Sequence, residues 1–259
     1  MIDIRSASEI DIMREGGAIL ARVMKEVGEQ VASGITTREL DRLAARMISQ
    51  YGATASFKGY GGFPGSICAS INEQVVHGIP DGTRLQEGDI VGIDIGVYYK
   101  GFHTDMARTF AVGDIGEDAK KVILASEESF KAGMEFIKEG FRVGDVGYAI
   151  QRKAEEMGCT VVRELTGHGV GRNLHEDPEV PNYGRPGYGK RLWNGMVLAV
   201  EPMVNAGVKE VIFKDDGWTV VTADGRMSGH YENTVAVTPE GPLIITAEPG
   251  EEQPWIFSR

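Results

Sequence analysis

An acid placed in the middle of an apolar strand is the feature that most narrows what this chain can build. Residues 90–96 read IVGIDIG and residues 196–204 read MVLAVEPMV; each stretch is apolar enough to be buried, yet each carries one carboxylate, Asp94 or Glu201. Taking an unpaired carboxylate out of water is costly, so a buried one is paired, hydrogen-bonded or bound to metal. Two more acids sit in mixed strands, Asp105 in TDMART and Glu232 in HYENTV. A single such acid is explained well by an ion pair with an arginine such as Arg108, or by capping a turn. Four in matched strand contexts strain that explanation, because their charges repel one another unless cations lie between them.

Residues 167–178, GHGVGRNLHEDP, add His168 and His175 in a stretch too rich in glycine for a helix and read as a loop; the whole chain has only five histidines. Carboxylates and imidazoles of this kind suit two divalent ions roughly 3.5–4 Å apart, bridged by carboxylates. An oxygen-dominated set with imidazole favours Mn, Fe, Co or Zn over a thiolate-type site. Water bridging such ions becomes hydroxide near neutral pH, a nucleophile able to attack an amide. The ligand set thus points to a dinuclear hydrolase without saying which bond is cut.

Along the chain, Ser6 with Glu9 and Thr36 with Glu39 read as reciprocal helix caps. Ile10, Met13, Leu20, Met24, Val27 and Val31 follow the first at helical spacing, and the second helix stops at Gly52. After the glycine-rich loop FKGYGGFPGS, SICASI and QVVHGI read as strands, and 89–113 as two strands joined by a tight turn near Lys100–Gly101. Helices are expected over about 117–138 and 144–158, a strand at TVVREL, and a loop over 178–190. MVLAVEPMV, VIFKDD, WTVVTADG, GHYENTVAVT and GPLIIT read as strands. Each half thus offers two helices and then strands carrying acids, a faint internal symmetry.

A net charge of −11 argues against nucleic acid as a direct partner, since phosphate contacts need clustered Lys and Arg. Two isolated cysteines, Cys68 and Cys159, make no disulfide framework and read as buried thiols, Cys68 close to the possible site. The N-terminus, MIDIRSASEIDIM, lacks the apolar core of a signal peptide, and no run reaches the length of a membrane span. A soluble cytoplasmic protein is expected.

The segments SINEQVVHGIP, DIGVYYKGFHTDMARTF, TGHGVGRNLHEDP, EPM and YENT resemble the signature stretches of the methionine aminopeptidases, most closely the bacterial type I form, and the resemblance runs from about Ser8 to Thr246. It implies an α+β pita-bread fold: two pseudo-symmetric α/β halves, about 1–113 and 114–246, with antiparallel sheet inside, helices outside and a tail over 247–259, all in one catalytic domain. By position Asp94, Asp105, His168, Glu201 and Glu232 match the metal ligands, with Asp105 and Glu232 as the bridging pair. His77 matches the histidine that contacts the substrate amide and helps protonate the leaving amine, and His175 the one that hydrogen-bonds the carbonyl and the developing oxyanion. Glu201 is also implied to relay the proton of the nucleophilic water. Tyr60, Phe63, Cys68 and Trp218 match walls of a methionine pocket; Phe57 and Leu174 occupy further wall positions where they depart from the commonest bacterial residues while staying apolar. Asn72 and Ser228 match loop positions where the family can hold a monovalent cation. His103 and His230 match no ligand and read as neighbours, with His230, two residues before Glu232, a candidate to stand just behind the ligands.

The activity implied is removal of the initiator methionine from nascent chains whose second residue is small, by a monomer that acts near the ribosome. The 25 residues between His175 and Glu201 leave no room for the helical insertion of type II enzymes, and no zinc-binding extension precedes the first helix. An Xaa-Pro aminopeptidase or prolidase would share the ligands but usually carries an additional N-terminal domain. A binding protein of the same shape that had lost catalysis would have lost ligands, which here are intact.

Overall fold

The structure, a computed structural model, describes residues 2–250; positions 251–259 of the expected tail lie outside the described residues. Ser6 Oγ accepts from the Glu9 amide while the Glu9 carboxylate accepts from the Ser6 amide, and this reciprocal cap opens α1 (Ala7–Glu29). Thr36 and Glu39 repeat it at α2 (Thr37–Gln50). Then come β1 (Thr54–Ala55), a short 3₁₀ turn (Tyr60–Gly62), β2 (Ile67–Ile71), β3 (Gln74–Val76), β4 (Ile90–Tyr99) and β5 (Phe102–Ala111). The second half begins with α3 (Glu117–Met134) and α4 (Val143–Glu156). It continues through β6 (Thr160–Val161), β7 (Gly167–Gly169), β8 (Glu176–Val180), β9 (Val197–Val200) and β10 (Met203–Asn205). The last strands are β11 (Val211–Phe213), β12 (Val220–Thr222), β13 (Ser228–His230), β14 (Glu232–Thr238) and β15 (Gly241–Ile244).

β4 and β5 form a hairpin whose turn places Lys100 at φ 47 and Gly101 at φ 94. Paired positive φ values match the right-handed twist of the flanking strands, which is why a glycine stands there. The hairpin lies in a nine-stranded antiparallel sheet of order β1-β4-β5-β14-β9-β7-β8, with β2 also on β4 and β15 on β14. Two three-stranded sheets, β13-β10-β6 and β11-β12-β3, flank it.

Strand periodicity decides which face is the core. Ile93, Ile95 and Val97 of β4 point one way and pack with Leu20, Val27, Leu40 and Ile48 of α1 and α2. Leu198 and Val200 of β9 and Val235 and Val237 of β14 pack with Val122 and Phe130 of α3 and Val146 and Ile150 of α4. Both helix pairs therefore cover the same face of the sheet, helices outside and sheet inside as expected. The acids are left for the other face.

Several expected elements differ. α3 ends at Met134 rather than Lys138, because the chain tightens into three-residue turns, Phe136 N–H to the Gly133 carbonyl and Ile137 N–H to the Met134 carbonyl. The strand expected at TVVREL spans only Thr160–Val161. MVLAVEPMV is two strands in two sheets, broken at Glu201–Pro202, where proline has no N–H to continue a ladder. GHYENTVAVT likewise splits at Tyr231 into β13 and β14, so Ser228 is a strand residue and not a loop position. The glycine-rich 167–178 segment holds β7 and the start of β8, and is not simply a loop.

Candidate metal centre and substrate pocket

Register puts Asp94, Asp105 and Glu232 on one face with His168, and Glu201 follows directly after β9. Asp94 of β4 pairs with Ala107 of β5, and Ala107 pairs with Glu232 of β14. Thr234 pairs with Ala199 of β9, and Ala199 pairs with His168 of β7. Directly paired residues share a face and so do residues two apart, which adds Asp105 beside Ala107 and Glu201 beyond Ala199. Five side chains from five places in the chain thus converge without a long loop. Gly167 and Gly169 flank His168 because a Cβ there would sit 2.4 Å from the Ala199 carbonyl or 2.2 Å from the Asp177 carbonyl; only glycine lets β7 lie this close to its neighbours. Thr234 Oγ1 accepts from Asp105 N–H and donates to the Asp105 carbonyl, fastening β5 to β14 at the site. Asn182 Nδ2 donates to the Glu201 carbonyl and pins the break after β9.

Asp105, His168 and Glu232 bring ligand atoms within 4.8 Å of one another, all buried. Glu201 Oε1 lies 3.5 Å from His168 Nε2. Asp94 Oδ1 and Glu232 Oε1 are buried without a hydrogen-bond partner. The arginine that an ion-pair explanation would use is committed elsewhere: Arg108 donates to the carbonyls of Ala107 and Glu232 and to Asn233 Oδ1. Burial pushes the Asp94 carboxyl up to about 7 and the Glu201 carboxyl up to about 8. Burial first, and then the neighbouring acids, raise Asp105 and Glu232 well above the ordinary carboxylate range. Acids crowded this closely resist ionising together unless a divalent cation lies between them. His168 Nδ1 donates to the Gly169 carbonyl at 2.9 Å, which leaves the Nε2 lone pair for the site; burial lowers its pKa to about 3. The residues therefore fit a metal: oxygen-rich, with one imidazole presented by its lone pair and orphaned carboxylate oxygens.

His77, Tyr60, Phe63, Phe57, Cys68, Leu174, His175 and Trp218 line the same cavity as the acids, a space of about 180 Å³. His77 follows β3 in the left-handed region at φ 59, a conformation a non-glycine residue holds only when its surroundings impose it. Burial lowers its pKa to about 4, so the ring is neutral near pH 7. His175 is exposed at the mouth, its Nδ1 2.7 Å from Tyr60 Oη and its ring 4.2 Å from that of His168. Burial against the cavity lowers its pKa as well. A Tyr60 hydroxyl donating to Nδ1 would leave the ring proton on Nε2 as a free donor. Tyr60, 45% exposed, thus holds a histidine as well as forming wall, which the sequence did not disclose.

Phe57, Phe63, Cys68 and Leu174 form a small buried cluster of their own, joined by Ile79 and Trp218, with the Phe63 and Trp218 rings edge to face at 5.0 Å. Burial, and then the nearby Asp94 charge, push the Cys68 thiol up, so it behaves as an apolar wall. Val76, Leu165, Thr166 and Met203 also line the cavity without a role assigned from sequence, although Val76, Thr166 and Met203 fall inside the quoted SINEQVVHGIP, TGHG and EPM stretches. His103 lies apart, bonded to Ser56 and stacked on Tyr98. His230 faces Glu201 and Glu232 with Nε2 at 3.7 and 3.9 Å. The Ser228 amide donates to the Asn72 carbonyl at 3.0 Å, so these two positions are adjacent as well.

Comparison with known proteins gives the family and the fold. The model of "Metallopeptidase family M24" matches residues 11–239. The chain is 55% identical to a methionine aminopeptidase of Clostridium perfringens over 95% of its own length and 99% of that protein. The crystal structure of methionine aminopeptidase from Thermotoga maritima superposes with a TM-score of 0.94 at 42% identity, covering 96% of this chain and all of that one. The prolidase from Pyrococcus furiosus matches at a TM-score of 0.74 and 22% identity over 94% of this chain and 65% of that one, a likeness of fold alone.

Proposed function

The chain belongs to metallopeptidase family M24 and to its methionine aminopeptidases, with the pita-bread fold, and on that premise we propose that it removes the initiator methionine from nascent proteins whose second residue is small. The observation that carries this reading is the continuity of one cavity: an apolar wall of Phe57, Phe63, Cys68, Leu174 and Trp218 opens directly onto the acids and His168. A pocket of this kind takes an unbranched thioether side chain and leaves the peptide carbonyl over the polar floor.

Asp94, Asp105, His168, Glu201 and Glu232 would hold two divalent ions, Co, Mn, Fe(II) or Zn, with Asp105 and Glu232 shared between them. When bound, the ions supply Lewis acidity and make water acidic enough to attack at neutral pH. Glu201 accepts the proton that the attacking water gives up and relays it. Neutral His175 donates from Nε2 to the substrate carbonyl and to the oxyanion that develops there; a preorganised donor aimed at developing charge typically contributes about 10²–10³ in rate. His77, also neutral, contacts the scissile amide and helps protonate the departing amine. The Tyr60 hydroxyl holds His175 in the tautomer this requires.

Asn72 and Ser228, adjacent through a backbone hydrogen bond, are the positions for a monovalent cation held largely by backbone carbonyls. Segments 1–113 and 114–246 act as the repeated halves of one catalytic domain. Nascent-chain N-termini are the substrate, met near the ribosome in the cytoplasm by a monomer that binds neither nucleic acid nor membrane directly. No helix among the described residues is long and apolar enough to cross a membrane. The test is an aminopeptidase assay on metal-stripped protein, with Met-Ala-Ser beside a tripeptide beginning Ala-Pro and each ion added separately. Metal-dependent release of methionine from the first peptide alone is expected; cleavage only before proline would move the protein to the Xaa-Pro branch.

A further inference from the structure

Glu201 lies between two imidazoles that are not alike. Its Oε1 faces His168 Nε2 at 3.5 Å, and its Oε2 faces His230 Nε2 at 3.7 Å. On His168 the proton is fixed at Nδ1 by the Gly169 carbonyl, so Nε2 meets Glu201 with a lone pair. Two lone pairs facing each other call for a cation between them. On His230 the Nε2 atom is buried and has no hydrogen-bond partner. A buried polar atom of this kind is uncommon and needs a reason. The residue is also held in place: Thr109 Oγ1 accepts from the His230 amide and donates to its carbonyl, both at 2.9 Å, and the side chain is 4% exposed.

We propose that His230 is a positioning residue for the metal centre, its Nε2–H holding Glu201 Oε2 so that Oε1, on the His168 side, is the oxygen offered to the ion. This rests on the reading of Glu201 as a ligand. Glu232 Oε2 lies 3.9 Å from the same nitrogen, so the ring stands behind one acid oxygen from each of the two strand breaks, at Glu201 and at Glu232. Groups that orient a ligand through its outer atom commonly change metal affinity about 10–100-fold when removed.

The experiment titrates Co(II) into metal-stripped wild type, His230→Ala and His230→Gln by calorimetry, and records the visible Co(II) bands of each saturated protein. His230→Ala is expected to weaken Co(II) binding about 10–100-fold with band intensities unchanged, since no ligand is lost. His230→Gln keeps an N–H donor at the position and is expected to recover most of the affinity. Equal affinity in wild type and His230→Ala would overturn the role of His230 alone. Altered bands in His230→Ala, with no recovery in His230→Gln, would also overturn it, because His230 would then be a ligand. Failure of the wild type itself to bind Co(II) would overturn the metal-centre reading and this inference with it.

Discussion

The two halves bring acids to the same face by different backbone solutions. In the first, Asp94 and Asp105 ride on an unbroken hairpin, ten residue pairs from Ile90↔Ala111 to Tyr99↔Phe102. Register does all the positioning there: Gly96 pairs with Asp105, so Asp94 stands diagonally beside it on the same side. In the second, Glu201 and Glu232 sit where strands change sheets, Glu201 between β9 and β10 and Glu232 immediately after the break at Tyr231. The hairpin sets its acids by its own ladder, whereas the strand switches also depend on outside fastenings, Asn182 on the Glu201 carbonyl and Arg108 on the Glu232 carbonyl. One half gives a fixed edge, and the other lets the chain turn away so that His168, His175 and the pocket wall can close around the acids.

The most severe way to break the comparison is to remove one shared acid from each half. Asp105→Asn and Glu232→Gln should each abolish detectable methionine release and impair binding of both ions, measured by metal analysis of the purified variants. A fully loaded, fully active Asp105→Asn protein would sink the dinuclear arrangement. Next in size is His77, which follows β3. His77→Ala should lower kcat about 10²–10⁴-fold with metal content near normal, since it lies outside the ligand set. Loss of metal from that variant would instead place His77 among the ligands.

Metal-free protein offers a third test, because its acids repel. Asp94, raised from 3.8 to about 7, and Glu201, raised from 4.5 to about 8, bind protons more tightly folded than unfolded. Their contribution is therefore present at low pH and is lost as pH rises through those folded values. His77 and His168, depressed from 6.5 to about 4 and about 3, act oppositely but finish titrating near pH 6.5, the unfolded value. From pH 6.5 to 8 the stability of the stripped protein should fall by on the order of 1 kcal/mol per proton per pH unit, and saturating Mn(II) should flatten the trend in Tm. A stripped protein whose Tm rises over that window would contradict the crowding of acids. The smallest effect belongs to the pocket: Trp218→Ala should narrow discrimination between methionine and leucine substrates by about 1–3 kcal/mol in kcat/KM terms. Unchanged discrimination would remove Trp218 from the wall.

The hairpin was legible because its signals are local: alternating side chains, a Lys-Gly turn, and acids at positions whose faces follow from a period of two. The second half was legible in its residues but less so in its backbone. Pro202 after Glu201 marks the end of a strand, yet apolar residues on both sides hid the break, and nothing comparable marks Tyr231. The glycines around His168 read as a loop, whereas they allow close strand contact. Tyr60 bonded to His175, and His230 behind Glu201, are pairings between residues far apart in sequence or out of ladder register, which periodicity cannot disclose.

The most direct measurement is a crystal structure of Mn(II)-soaked protein with anomalous scattering recorded for manganese. Two peaks roughly 3.5–4 Å apart are expected between the hairpin acids and the strand-switch acids, with Asp105 and Glu232 touching both. No peak between the halves, or carboxylates turned away into ion pairs with Arg108, would contradict the conclusion that the two halves meet in one metal centre.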